Sequence, residues 1–166
     1  MTTMDGKALL PEFDQEMANT RKMLERVPDE HLAFKPHEKS YSLLELAAHV
    51  ASLPTWTGVT LTTTELDLDQ PWERKLPTDR DGVLADFDAA VGDARPVLEK
   101  ASAEDMGVHW TLKTGDQVWF TLPRGAVFRS FVMSHLVHHR AQLGVYLRLL
   151  DVPVPGMYGP SADEQT

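Results

Sequence analysis

The segment FVMSHLVHHRAQLGVYLRLL, residues 131–150, carries the pattern on which the fold turns. Phe131, Val132, Leu136, Leu143, Tyr146 and Leu150 recur at helical spacing, as expected of one face turned toward a core. Imidazoles interrupt that stripe. A helix advances by about 100° per residue, so His135 and His139 stand about 40° apart and one turn along the axis, where two ring nitrogens can reach one ion. His138 lies about 60° from His135 on the other side and about 100° from His139. A 135/138 pair is conceivable but less well aligned with the stripe. His139 sits one turn before Leu143 and two before Tyr146, which favours the 135/139 pair.

Working outward, three more segments carry helical periodicity. In the first, Leu9, Leu10, Phe13, Met17, Thr20, Leu24 and Val27 recur at three and four, and Val27–Pro28 closes it. The second opens at SLLE, where Ser42 caps the helix and Glu45 returns the hydrogen bond. It runs toward Trp56, with a kink expected because Pro54 frees the carbonyl of Val50. The third starts after Thr78 as its cap and places Val83, Leu84, Phe87, Ala90, Val91, Ala94, Val97 and Leu98 on one face, with Pro96 disturbing its last turns. Between it and the fourth, VHWTLKTGDQVWFTL (108–122) alternates aromatic and polar residues around KTGD, which suggests a short hairpin. The fourth helix is expected to start at Pro123. Four amphipathic helices with mostly long connections and no internal repeat indicate an all-α four-helix bundle, one domain over residues 1–166.

Composition narrows the function classes. With 166 residues, 42% of them hydrophobic, the chain can bury a core without staples, and the absence of cysteine excludes disulfides, thiolate ligands and a thiol nucleophile of its own. A net charge of −9 with dispersed Lys and Arg argues against nucleic acid, which needs a basic patch. No apolar run approaches the ~18 residues of a membrane span, and MTTMDGKALLPEFD lacks a basic region followed by an apolar core. A cytoplasmic protein with no membrane partner is the expectation.

The chain has seven histidines. His31, His37 and His109 fall in loops or at edges, where a solvated ring is the ordinary role. His49, between Leu46 and Val50, is the remaining one in a periodic helix and so the source of a third ligand. Taken alone it would read as a hydrogen-bonded core residue. Three imidazoles buried on two helices cost free energy without strong partners, and one cation satisfies them together. HLVHH lacks the glutamate of H-E-x-x-H and no E-x-x-H occurs, which disfavours zincin and di-iron readings.

SLLELAAHVA (42–51) combined with SHLVHHRAQLGVYLRLLDVPVP (134–155) resembles the DinB/YfiT-like superfamily of small four-helix bundles with a three-histidine metal site. The likeness extends through ERVPDEHLAFKPHEKSYSLLEL (25–46) and VPVPGMYGPS (152–161). It implies His49, His135 and His139 as ligands of one divalent ion, leaves His138 outside, and matches Arg140 after the last ligand. It further implies thiol transfer or hydrolysis on a small-molecule substrate, with a low-molecular-weight thiol as a second cofactor, and a homodimer. Zinc or nickel is the expected ion: zinc suits three nitrogen ligands, whereas nickel, iron or manganese needs added waters or carboxylates. A non-catalytic bundle binding a small molecule or partner is the other reading. Around the histidines, Glu45 is placed either to orient His49 or to act as a base, its capping role apart, and Trp56 either to line a pocket or to fill the core. Trp110 and Trp119 either cover the site or pack on the bundle, and their exposed-looking segment is a candidate dimer contact.

Overall fold

The computed structural model describes residues 4–70 and 75–164; the outermost residues of the expected 1–166 domain lie outside that range. Helix α1 (Leu10–Leu24) follows a 3-10 turn at Lys7–Leu9. Next come α2 (Leu43–Ser52), α3 (Thr55–Thr62), strand β1 (Glu65–Asp67), α4 (Arg80–Lys100) and α5 (Ala103–Gly107). Strands β2 (His109–Thr114) and β3 (Gln117–Pro123) lead into α6 (Arg124–Val127), a π-helical turn (Phe128–Ser134) and α7 (His135–Leu149). The four helices α1, α2, α4 and α7 form the expected bundle. Phe13 and Leu24 of α1, Leu46 and Val50 of α2, Phe87 and Leu98 of α4, and Leu136 and Leu143 of α7 are all essentially inaccessible in its core.

The boundaries depart from the sequence reading in instructive ways. The first helix ends at Leu24, and Val27 is held by a turn bond to the Leu24 carbonyl at 3.1 Å. Pro54 does more than kink the second helix. Leu53 N–H turns back to the Val50 carbonyl at 3.3 Å, and a separate helix, α3, begins at Thr55. Asp79, not Thr78, caps α4: its Oδ1 accepts from Gly82 N at 2.8 Å. Pro96 leaves that helix intact to Lys100, because Pro96 and Gly92 both face water, which satisfies the carbonyl the missing amide abandons. Pro123 is the N-cap of α6 rather than its first residue.

The hairpin turns at Gly115, whose φ of 55° is a left-handed conformation that suits glycine. Two short elements carried no readable period. Strand β1 pairs in parallel with β2, Leu66 opposite Leu112, making a three-stranded sheet β1-β2-β3. Helix α5 is one turn held by a capping box between Ser102 and Asp105. Beyond α7, residues 152–164 fold back on α1 and α7 through Asn19 Nδ2 to the Met157 carbonyl (3.1 Å) and the Arg148–Asp163 pair. Among the described residues no helix is long and apolar enough to cross a membrane.

Candidate metal centre

The capping box at Ser42 fixes the start of α2, and two turns later the helix delivers His49 toward α7. On α7, His135 and His139 occupy successive turns on the face that meets α2. The His49 and His135 Nε2 atoms approach to 3.4 Å. Ring centroids are 4.5 Å apart for His49–His139 and 4.7 Å for His135–His139. One ligand nitrogen from each of the three falls within 4.8 Å of the others. Two nitrogens on a tetrahedral ion at ~2.1 Å stand ~3.4 Å apart, so the 49/135 spacing suits a shared ion.

The donor set fits a borderline divalent cation: three imidazoles with no thiolate anywhere in the chain. Burial pushes the His135 pKa down, helped by the nearby charges of His139 and His138 and opposed by a hydrogen bond to the Phe131 backbone. Burial also lowers that of His139, with His138 adding to the effect and Gln142 opposing it. Both rings are therefore neutral near pH 7, the form that binds a cation. Their outer nitrogens are engaged. His139 Nδ1 meets Gln142 Oε1 at 2.7 Å; with the amide oxygen accepting, Nδ1 carries the proton and Nε2 is left as the ligand atom.

A cavity of about 380 Å³ opens beside His139, walled by Lys39, Tyr41, Leu46, Gln142, Val145 and Tyr146. The Tyr41 ring lies 5.9 Å from that of His49, and Tyr146 OH donates to the Tyr41 carbonyl at 3.0 Å, tying the loop before α2 to α7. Sequence reasoning did not single out Gln142 or Tyr41. Gln142 carried a signal, an amide three residues after a ligand on the same helix; Tyr41 carried none beyond its place next to the cap.

The other candidates fall elsewhere. His138 is exposed, its ring 4.8 Å from that of His139 but outside the triad. His31, His37 and His109 are exposed. Glu45 is committed to the cap, accepting from Ser42 N at 2.6 Å, and these Ser42 bonds, more than Lys35, hold its carboxyl below the usual range. The bonds described for it serve the cap. Trp56 is half-buried and stacks on Phe131, 6.1 Å between centroids, and Phe131 in turn lies edge-on to His135 at 6.3 Å. Trp110 is fully buried, its Nε1 donating to Thr63 Oγ1 at 3.0 Å, so it packs rather than covers. Trp119 alone of the pair projects, 62% exposed.

Behind the triad, Arg140 is buried at 2% exposure and pairs with Glu16 at 2.6 Å. It also donates to Tyr158 OH at 2.6 Å and to Thr20 Oγ1 at 3.1 Å.

A bundle that brings three imidazoles from two helices together, one of them bordering a cavity, has the form of a metal-binding helical protein. The DinB family's sequence profile matches residues 1–166, and the chain belongs to the DinB family. It is 26% identical over 160 residues to the uncharacterized protein YrdA of Bacillus subtilis (strain 168), covering 93% of this chain and 89% of that one. A crystal structure of a DinB-like protein from Bacillus cereus ATCC 10987 superposes with a TM-score of 0.72 at 21% identity, over 95% of this chain and 100% of that one. The DinB-like protein YjoA of Bacillus subtilis gives 0.69 at 18% identity, over 95% and 98%. Both support the bundle fold.

Proposed function

We propose that this protein is a metal-dependent enzyme acting on a small molecule, with His49, His135 and His139 holding one divalent ion, zinc or nickel, and with thiol transfer favoured over hydrolysis. The observation that carries the reading is the convergence of the three rings, one of which, His139, also lines the 380 Å³ cavity. Three protein ligands leave coordination positions open, the form of a catalytic rather than a closed structural site. A divalent ion held there supplies Lewis acidity, polarising an electrophile and promoting ionisation of a thiol or water.

The chain's own groups do the rest. Burial lowers the pKa of His135 and His139, Gln142 meets His139, and Tyr41 and Tyr146 wall the cavity. Among the described residues no carboxylate lines that cavity, and Glu45 is held in its cap, so none of them is placed there to take a proton from water. A thiol, with an ordinary pKa near ~8.5, depends less on such a base, which favours transfer from a low-molecular-weight thiol supplied in solution.

Cobalt-loaded protein tests this. Adding 2-mercaptoethanol should produce a sulfur-to-metal charge-transfer band, and thiol-dependent consumption of an alkylating electrophile should follow. No spectral change together with metal-dependent ester cleavage that needs no thiol would move the assignment to hydrolysis. A band with no turnover across a panel of electrophiles would make the protein a binding module.

A further inference from the structure

The cavity beside His139 has a one-sided chemistry. Its walls hold two phenol rings, Tyr41 and Tyr146, the aliphatic Leu46 and Val145, the His139 imidazole and one charged side chain, Lys39. None is acidic, although the chain has 25 acidic residues against 16 basic ones. Glu45, at the start of α2, is engaged elsewhere: it is held by Ser42, and its salt bridge, at 3.8 Å, goes to Lys35. Among the described residues no ion pair engages the Lys39 ammonium.

The loop that carries Lys39 and Tyr41 is also held in place before any ligand arrives. Lys39 N donates to His37 Nδ1 at 3.1 Å and Ser40 N to the His37 carbonyl at 3.0 Å. Tyr146 OH fixes the Tyr41 carbonyl, and Ser42 N is bonded into the cap of α2. A cation and an aromatic face are thus presented on an ordered turn at the edge of a cavity toward the small end of the usual ~300–1,000 Å³ range.

We propose that this cavity is a subsite for a small organic oxyanion with a planar apolar body, the anionic group on Lys39 and the body against Tyr41 next to the histidines. The assignment rests on the proposed function in naming the ligand as substrate or thiol, but the subsite itself belongs to the metal-free chain. The ammonium selects charge, the tyrosine ring supplies apolar area, and the absence of carboxylates removes the repulsion that a chain of net charge −9 presents elsewhere.

The test uses metal-free full-length protein, with benzenesulfonate and its neutral analogue methyl phenyl sulfone as probes in an NMR shift titration. Benzenesulfonate should bind more tightly than the sulfone, with shifted amides concentrated at residues 39–46 and 139–146. Lys39→Met should weaken the sulfonate roughly three- to fivefold, the scale of one exposed charge pair, and leave the sulfone unchanged. Tyr41→Ala should weaken both, and Lys100→Met, a control on the far end of α4, neither. Equal affinity for the two probes, no binding of either, or an unchanged sulfonate affinity in Lys39→Met would each overturn the subsite. Zinc titration of the same samples separates the two claims: failure to take up zinc refutes the metal-dependent function and leaves the oxyanion subsite standing.

Discussion

Gln142 gives the sharpest test of how the triad is supported. Its amide oxygen at 2.7 Å from His139 Nδ1 fixes both the ring's rotation and its tautomer, so that Nε2 offers a lone pair. Replacing it by leucine removes the acceptor at an exposed position and leaves the core untouched. A net hydrogen bond between uncharged partners near the surface is worth about 0.5–1.5 kcal/mol. Loss of an outer-shell partner of a metal-binding histidine costs about 10–100-fold in affinity, so the two scales meet at roughly tenfold, about 1.4 kcal/mol. Competition for Zn²⁺ against a chromophoric chelator at pH 7.5 measures it directly. Gln142→Leu should raise the zinc Kd by about tenfold, whereas Gln142→Glu, which keeps an acceptor in place, should bind at least as tightly as the parent. The metal-free melting temperature of the leucine variant should match the parent. A Kd within twofold of the parent for Gln142→Leu, or equal losses for the leucine and glutamate variants, would refute the orienting role.

Metal analysis of single alanine variants should show loss of the ion for His49, His135 and His139 and retention for His138→Ala; the reverse pattern at 138 and 139 would overturn the triad. A ligand present at a hundredfold excess over Kd adds about 2.7 kcal/mol, so chelation should lower the melting temperature by roughly 5–10 °C, with helical circular dichroism retained because the apolar core does not depend on the ion. The Arg148 guanidinium, with Val154 N–H, holds the Asp163 carboxyl down to about 2 from an ordinary 3.8. That stabilisation is present above the ordinary value and disappears as pH falls through about 2, so amide exchange at Val154 should speed up over that window, and already at pH 7 in Asp163→Asn; identical exchange in parent and variant would remove the clamp. Sedimentation at micromolar concentration should show a homodimer, and Trp119→Ser should weaken it; a single 18.6 kDa species in the parent would count against assembly through the exposed hairpin.

The bundle was legible because its determinants are periodic. Phe13, Leu46, Phe87 and Leu143 announce their faces by spacing alone, and Ser42–Glu45 announces a helix start by a local pair of hydrogen bonds that needs no tertiary context. Two of the three histidines were legible for the same reason, being four apart on one helix. Strand β1 was not, since three residues cannot establish a period and its pairing partner is more than forty residues away. Trp110 and Trp119 look alike in sequence. One strand is turned into the second small core and the other is the sheet edge, and only the assembled sheet tells them apart. The π-helical turn at Phe128–Ser134 was invisible to a reading that assumed a constant advance per residue. Phe131, counted with the main stripe, instead packs with Trp56 and Phe120 beside the second core.

That turn and Arg140 together explain why the triad sits where it does. His139 and Arg140 are consecutive, so one α7 rotation must send an imidazole toward α2 and a guanidinium toward α1. Apolar contacts alone discriminate weakly between neighbouring rotations of a helix, because leucine tolerates many neighbours. A guanidinium at 2% exposure does not tolerate many: its partners are the Glu16 carboxylate and carbonyl, Thr20 Oγ1 and Tyr158 OH, all placed by α1 or by the returning C-terminal segment. Leaving such a charge without its partner costs about 3–5 kcal/mol, so a slip or rotation of α7 by one residue is penalised far more by Arg140 than by the leucines around it. The pair contributes little net stability over an apolar replacement, and its effect is to single out one rotation. The π-helical turn upstream then takes up the angular mismatch between that rotation and the one Phe128 needs to reach Phe13, whose ring it meets at 6.3 Å. The buried polar cluster on one side of α7 thereby sets the direction of the histidines on the other.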